Sequence, residues 1–98
     1  MEIVYKNRDL KQLCKNFTAA SKKYGDKMAN IIQIRMKYIK SARCVEELLH
    51  LRIGRCHTIK EQRMGQYAMD LVHPYRLIFE KMGDVTQIAR IVQIVDYY

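Results

Sequence analysis

The feature that most constrains the fold is a single change of hydrophobic period, near Arg43, in a chain of 98 residues. Before that point apolar residues recur at helical spacing; after it they approach strict alternation. Ile3, Val4 and Tyr5 read as a short opening strand ended by the turn-forming Asn7. Leu10, Leu13, Cys14 and Phe17 follow on one helical face, with Arg8, Lys11 and Lys15 opposite. Asn7 can cap this helix, and Gly25 can stop it after Tyr24. Asp26 reads as the cap of a second helix, with Met28, Ile31, Ile32, Tyr38 and Ile39 as its buried stripe and Gln33, Lys37 and Lys40 facing water. So short a link predicts an antiparallel helical hairpin. Arg35 falls within the apolar stripe, where an arginine either snorkels to an edge or pairs with a carboxylate.

Beyond Arg43, Val45 to Leu49 allow one more helical turn. Strands are then expected over Arg55–Lys60, Gln66–Val72, Tyr75–Glu80 and Gln87–Tyr97. Turns are expected at Arg63-Met64-Gly65, His73-Pro74 and Met82-Gly83-Asp84. The expectation is one α+β domain over residues 1–98: an N-terminal strand, a helical hairpin and an antiparallel β-meander, with helices on one sheet face. The second sheet face is left to carry a site.

Charge divides at the same place. Residues 1–43 hold eleven Lys and Arg against three Asp and Glu, a net of +8, whereas residues 44–98 hold seven of each sign. The whole imbalance, and the pI of about 9.6, therefore comes from the helical half. Such a surface suits a polyanion, nucleic acid above all, although a Lys-rich helix face is also what plain solvation produces. No run approaches the ~18 apolar residues of a membrane span, and the first ten residues lack a signal-peptide core. Cys14, Cys44 and Cys56 are odd in number and form no CxxC pair, so three reduced thiols in a cytoplasmic protein are expected, with no metal. Motifs for nucleotide cofactors and the serine-hydrolase elbow are absent, and no cofactor is expected.

Three segments of the second half carry a resemblance in order and register. Cys56-His57-Thr58-Ile59-Lys60 is similar to the "LHPLKG" strand of HigB-type toxins in the RelE/ParE superfamily. Gln66 to Phe79 resembles that family's paired central strands, with Arg76 after the hairpin turn. The ending Val92 to Tyr98 resembles its terminal "DYH" signature. The final His of that signature is Tyr98 here, and the family's Pro and Gly beside the lysine are Thr58 and Glu61. The resemblance implies a microbial-ribonuclease-like α+β fold (RelE-like). It also implies a type II toxin that cleaves mRNA in the ribosomal A site, and a HigA-like helix-turn-helix antitoxin as partner. Contact with operator DNA is then expected only through the antitoxin.

Metal-free RNA cleavage needs a base for the ribose 2′-hydroxyl, an acid for the leaving 5′-oxygen and cations for the charge gathering on phosphorus. His57 is the candidate whose side-chain type titrates near neutrality, at about 6.5 in the free residue. Taken alone, one His in a strand is more often structural; its place in the motif argues for the catalytic role. Asp96 can orient it, and Arg76 matches a phosphate bidentately. Lys60 adds a point charge, Arg63 stands in the following turn, and Tyr97 can stack on a splayed base. Lys11, Lys15, Lys37, Lys40 and Tyr98 complete the expected RNA- and ribosome-binding set. Alternation puts His57 and Ile59 on one strand face and Lys60 on the other unless the strand ends there. Two further readings remain: a ParE-like toxin that poisons DNA gyrase without cleaving RNA, and a plain nucleic-acid-binding module using the basic helices.

Overall fold

The helical layer runs past the change of period at Arg43 as far as His50, and the antiparallel meander begins only at His57. A computed structural model describes residues 1–59 and 65–96. The elements in chain order are β1 (Glu2–Tyr5), α1 (Arg8–Lys15), α2 (Phe17–Tyr24), α3 (Asp26–Ser41) and α4 (Val45–His50). A 3-10 turn (Ile53–Arg55) and the strands β2 (His57–Thr58), β3 (Gln66–Asp70), β4 (Tyr75–Met82) and β5 (Ile88–Asp96) follow. The sheet order is β1-β5-β4-β3-β2. β2 to β5 form the expected antiparallel meander, and β1 closes the far edge by pairing parallel to β5. None of the described helices is long and apolar enough to cross a membrane.

The helices cover one face of the sheet. Met69, Leu77, Phe79, Ala89 and Ile91 meet Leu10, Cys14, Ile32, Ile39 and Leu48 in a continuous core. The alternate residues form the other face, where register aligns Asp70 with Arg76 and Val95, and His57 with Ala68, Ile78 and Gln93. A bulge between Ile78 and Phe79 sets one extra β5 residue, Val92, into this ladder.

Several local expectations are corrected. The helix expected from Arg8 to Tyr24 breaks at Asn16 (φ −114°, ψ 107°). The Asn16 amide closes α1 on the Gln12 carbonyl at 2.9 Å, while its side-chain oxygen accepts the Ala19 amide at 3.3 Å and caps α2. The resulting change of axis leaves Phe17 40% exposed rather than in the stripe. Asp26 is the first residue of α3 and not its cap, which is Gly25 at φ +91°; its carboxylate accepts a hydrogen bond from Ser21 Oγ. Tyr38 is also outside the core, 49% exposed; Ala29 and Met36 fill the stripe. Of the strand expected over Arg55–Lys60, the described residues form His57–Thr58, Arg55 belongs to the 3-10 turn, and Lys60 lies outside the described residues. Gln87 precedes β5 instead of opening it, and the third turn extends to it.

The short helix α4 is held by that turn. Cys44 gives it no side-chain cap. Its first amide, on Val45, instead donates at 2.8 Å to the Gln87 side-chain oxygen, 42 residues away. Gln87 Nε2 donates in turn to Glu46 Oε1 at 3.0 Å, and Lys81 Nζ lies 3.3 Å from Glu46 Oε2. The clasp fixes the end of the helical layer against the β4–β5 turn, just upstream of the segment that carries His57.

Candidate active site

The chain from Leu51 to His57 is unusual in its backbone. Arg52 and Arg55 have φ of 53° and 55°, and Gly54 between them 59°. Left-handed backbone costs a non-glycine residue roughly 1–2 kcal/mol, and such strain concentrates at functional sites. Gly54 suits this position twice over. Beyond its φ, a Cβ at this position would stand 2.5 Å from Arg35 Nε. Arg35 reaches from α3 past Gly54 and donates from Nε to the Asp70 carbonyl at 2.9 Å. Of the two expectations for this arginine, an edge or a carboxylate partner, the second is replaced by a backbone acceptor.

This segment opens a cleft of about 520 Å³ lined by Leu49, Arg52, Arg55, Cys56, His57, Thr58 and Arg76. Three guanidiniums and an imidazole share one concave surface at the β2 edge of the sheet, with Leu49 of α4 in its wall. His57 is exposed, and its Nδ1 lies 2.8 Å from the Arg55 carbonyl. A carbonyl only accepts, so Nδ1 carries the hydrogen and Nε2 is left as the atom for proton exchange. Arg76 is half-buried, on the same face, two strands across and two residues along from His57, so about 12 Å away. Its Nε lies 3.4 Å from Asp70 Oδ1, and Arg55 Nε lies 3.4 Å from Asp70 Oδ2. Cys56, next to His57, is no nucleophile. Burial pushes its thiol up to about 11, as it pushes the Cys14 thiol up to about 12.

The cleft therefore unites His57 and Arg76, as the sequence led us to expect. Asp96 is placed differently: it pairs with Tyr75, so its register belongs to the helix-covered face, at the exposed end of β5. Lys60, Arg63, Tyr97 and Tyr98 lie outside the described residues. Lys11, Lys15, Lys37 and Lys40 are exposed, but they gather at the opposite edge of the sheet. Lys15, Lys37 and Lys40 line a second cleft of about 460 Å³ with Ile3 and Tyr5 of β1, and Lys11 and Lys15 a third of about 410 Å³ beside the same strand. Four strand spacings, roughly 19 Å, separate β1 from β2. The sequence reading missed Arg52, Arg55 and Asp70. The one available signal was the R-x-G-R run directly before His57, a glycine between arginines where the period changes.

Neither a protein-family profile nor a curated protein matches the chain. Among solved structures, the fold is similar to that of the YoeB/ParE toxin from Agrobacterium tumefaciens, with a TM-score of 0.69 over the full length of both chains at 13% sequence identity. At that identity the likeness is one of fold, and it agrees with the RelE-like α+β architecture expected from the three segments.

Proposed function

We propose that this chain is the toxin of a type II toxin–antitoxin pair, of the HigB type, and acts as a cytoplasmic, ribosome-dependent mRNA endonuclease. The observation that carries this reading is the union of His57, Arg76, Arg52 and Arg55 in one open cleft. In the proposed reaction the ribose 2′-oxygen attacks the adjacent phosphorus and its proton passes to a base. The P–O5′ bond breaks as that oxygen gains a proton, leaving a cyclic phosphate and a 5′-hydroxyl. His57 Nε2 serves proton transfer, with Nδ1 anchored on Arg55 to hold the tautomer. Arg76, with Arg52 and Arg55 beside it, stabilises the charge on the phosphoryl oxygens. Lys60, Asp96 and Tyr97 remain candidates to complete the set. So sparse a group of acids and bases relies on a substrate held in place, which is the ribosome's contribution. A HigA-like antitoxin is the proposed partner.

Primer extension on a defined mRNA in a cell-free translation reaction, with and without ribosomes, tests this. Discrete ribosome-dependent 5′ ends are expected, and His57→Gln and Arg76→Ala should each cut their rate of appearance by about 100-fold or more. Intact mRNA under continued translation refutes it. The second reading, a gyrase poison, is favoured by the likeness in fold to a YoeB/ParE toxin. It predicts inhibited DNA supercoiling with mRNA untouched.

A further inference from the structure

Asp70 is a point of convergence that the proposed chemistry does not use. It ends β3, opposite Arg76 in the sheet register. Its two carboxylate oxygens each face the Nε of a different arginine at 3.4 Å, Oδ1 that of Arg76 and Oδ2 that of Arg55, while its backbone carbonyl accepts from Arg35. Three arginines, from a helix, a strained turn and a strand, meet on one residue. Arg55 and Arg76 line both the cleft with His57 and a hollow of about 100 Å³, whereas Asp70 lines the hollow and not the cleft. The carboxylate thus stays out of the cleft's lining while it faces both guanidiniums. Arg55 has an 80% exposed side chain, so without such an anchor its guanidinium would sample many rotamers, and ordering them would count against any ligand.

We infer that Asp70 is a positioning residue that sets Arg55 and Arg76 side by side as a two-pronged clamp for one phosphate of a nucleic-acid strand in the cleft. The inference rests on the reading of this cleft as a phosphate site. Two guanidiniums this close repel each other, and a shared carboxylate offsets that repulsion while leaving the trio with a net positive charge for the ligand. It faces both at Nε, away from the planar pair of terminal nitrogens, at ion-pair distance and without a hydrogen bond at the buried Oδ1. The left-handed backbone at Arg55 is the strain accepted to bring its side chain to this partner.

The opposite reading is that Asp70 merely neutralises the arginines and competes with substrate. The two are separated by titrating the whole protein with an RNA tetranucleotide carrying one 2′-deoxyribose at the attacking position, which binds without being cleaved. Arginine Nε–Hε resonances and the Kd are followed by NMR. In the unaltered protein the Arg55 and Arg76 Nε–Hε signals should be displaced from free arginine and protected from exchange. Asp70→Asn, close in shape, and Asp70→Ala should both collapse those signals and raise Kd about tenfold. In an Arg55→Ala, Arg76→Ala background, Asp70→Ala should change Kd by less than about twofold, because its partners are gone.

Unmoved Nε–Hε signals, or tighter binding in Asp70→Asn, would overturn the positioning role. A plain folding defect would lower stability without the selective loss of these two signals. Failure of the nuclease reading looks different. Tetranucleotide binding that depends on Arg55, Arg76 and Asp70, with no ribosome-dependent cleavage, would leave the clamp standing and remove the enzyme.

Discussion

The clasp around Gln87 is the place where one substitution should disturb stability and acid sensitivity together. Gln87 is 9% exposed, and its oxygen is the acceptor for the amide of Val45, a residue with no exposure. Gln87→Leu keeps the volume and removes both polar atoms, leaving that buried N–H without an acceptor. An orphaned buried donor costs about 1–3 kcal/mol, which for a domain of this size lowers the Tm by roughly 5–15 °C. The same substitution removes the strongest of the influences that hold the Glu46 carboxyl at about 2, below its ordinary 4.5. A carboxyl depressed in the folded state contributes stability that is full above its unfolded pKa and is lost as the pH falls through the folded one. Stability in the unaltered protein should therefore decline between about pH 5 and pH 2, and part of that decline should vanish in Gln87→Leu. Urea unfolding followed by circular dichroism from pH 7 to pH 3 measures both. A loss at pH 7 below about 0.5 kcal/mol, or a difference from the unaltered protein that stays constant down to pH 3, would refute the clasp as described.

Gly54→Ala should lower stability by about 1–2 kcal/mol from its left-handed φ alone, and more from the collision with Arg35. In an Arg35→Ala background only the first part should remain, and equal costs in the two backgrounds would contradict the close approach. Ile32→Ala, at a site with no exposure, should cost about 2–5 kcal/mol in urea unfolding; a loss under 1 kcal/mol would mean the helical layer is not packed as described. Exchanging Lys11, Lys15, Lys37 and Lys40 for Glu should weaken cosedimentation with ribosomes and flatten its salt dependence; unchanged association at every salt concentration would remove these residues from the docking surface.

What the sequence made legible was decided by how local each signal is. The meander and its turns at His73-Pro74 and Met82-Gly83-Asp84 follow from alternation and from turn residues. The turn expected at Arg63-Met64-Gly65 lies largely outside the described residues, and the register brought His57 and Arg76 to one face as alternation requires. Errors arose where a side chain competes with the backbone or where a partner is remote. Asn16 has the chemistry of a cap, yet only φ and ψ reveal that it caps α2 instead of continuing one long helix. Tyr38 fits a 3.6-residue stripe as well as Met36 does, yet only Met36 is buried on folding. Gln87 reads as a strand residue because its role depends on an amide 42 residues away. Arg55 escaped notice for a similar reason: alternation assigned it to a strand, and the partner of its side chain, Asp70, lies 15 residues further on.

The charge asymmetry, which looked like one signal, divides on folding into two. The surplus cations belong to the helical half, and four of them, Lys11, Lys15, Lys37 and Lys40, gather beside β1. The cleft with His57 is built from the half with no net charge, at the β2 edge. Over roughly 19 Å, about two Debye lengths in physiological salt, the lysines contribute little to the potential at a phosphate held by Arg76. They are suited to capture and orient a large polyanion, a task carried by many screened charges. The cleft needs few charges, held rigidly, because its cations act on one phosphate at contact distance. Substitutions at the β1 edge should therefore move association and its salt dependence while leaving the turnover of bound substrate intact, and substitutions at Arg76 or His57 should do the reverse. A charge reversal at the β1 edge that slowed cleavage of an already bound substrate would mean the two regions grip the same stretch of RNA, which their placement at opposite ends of the sheet argues against.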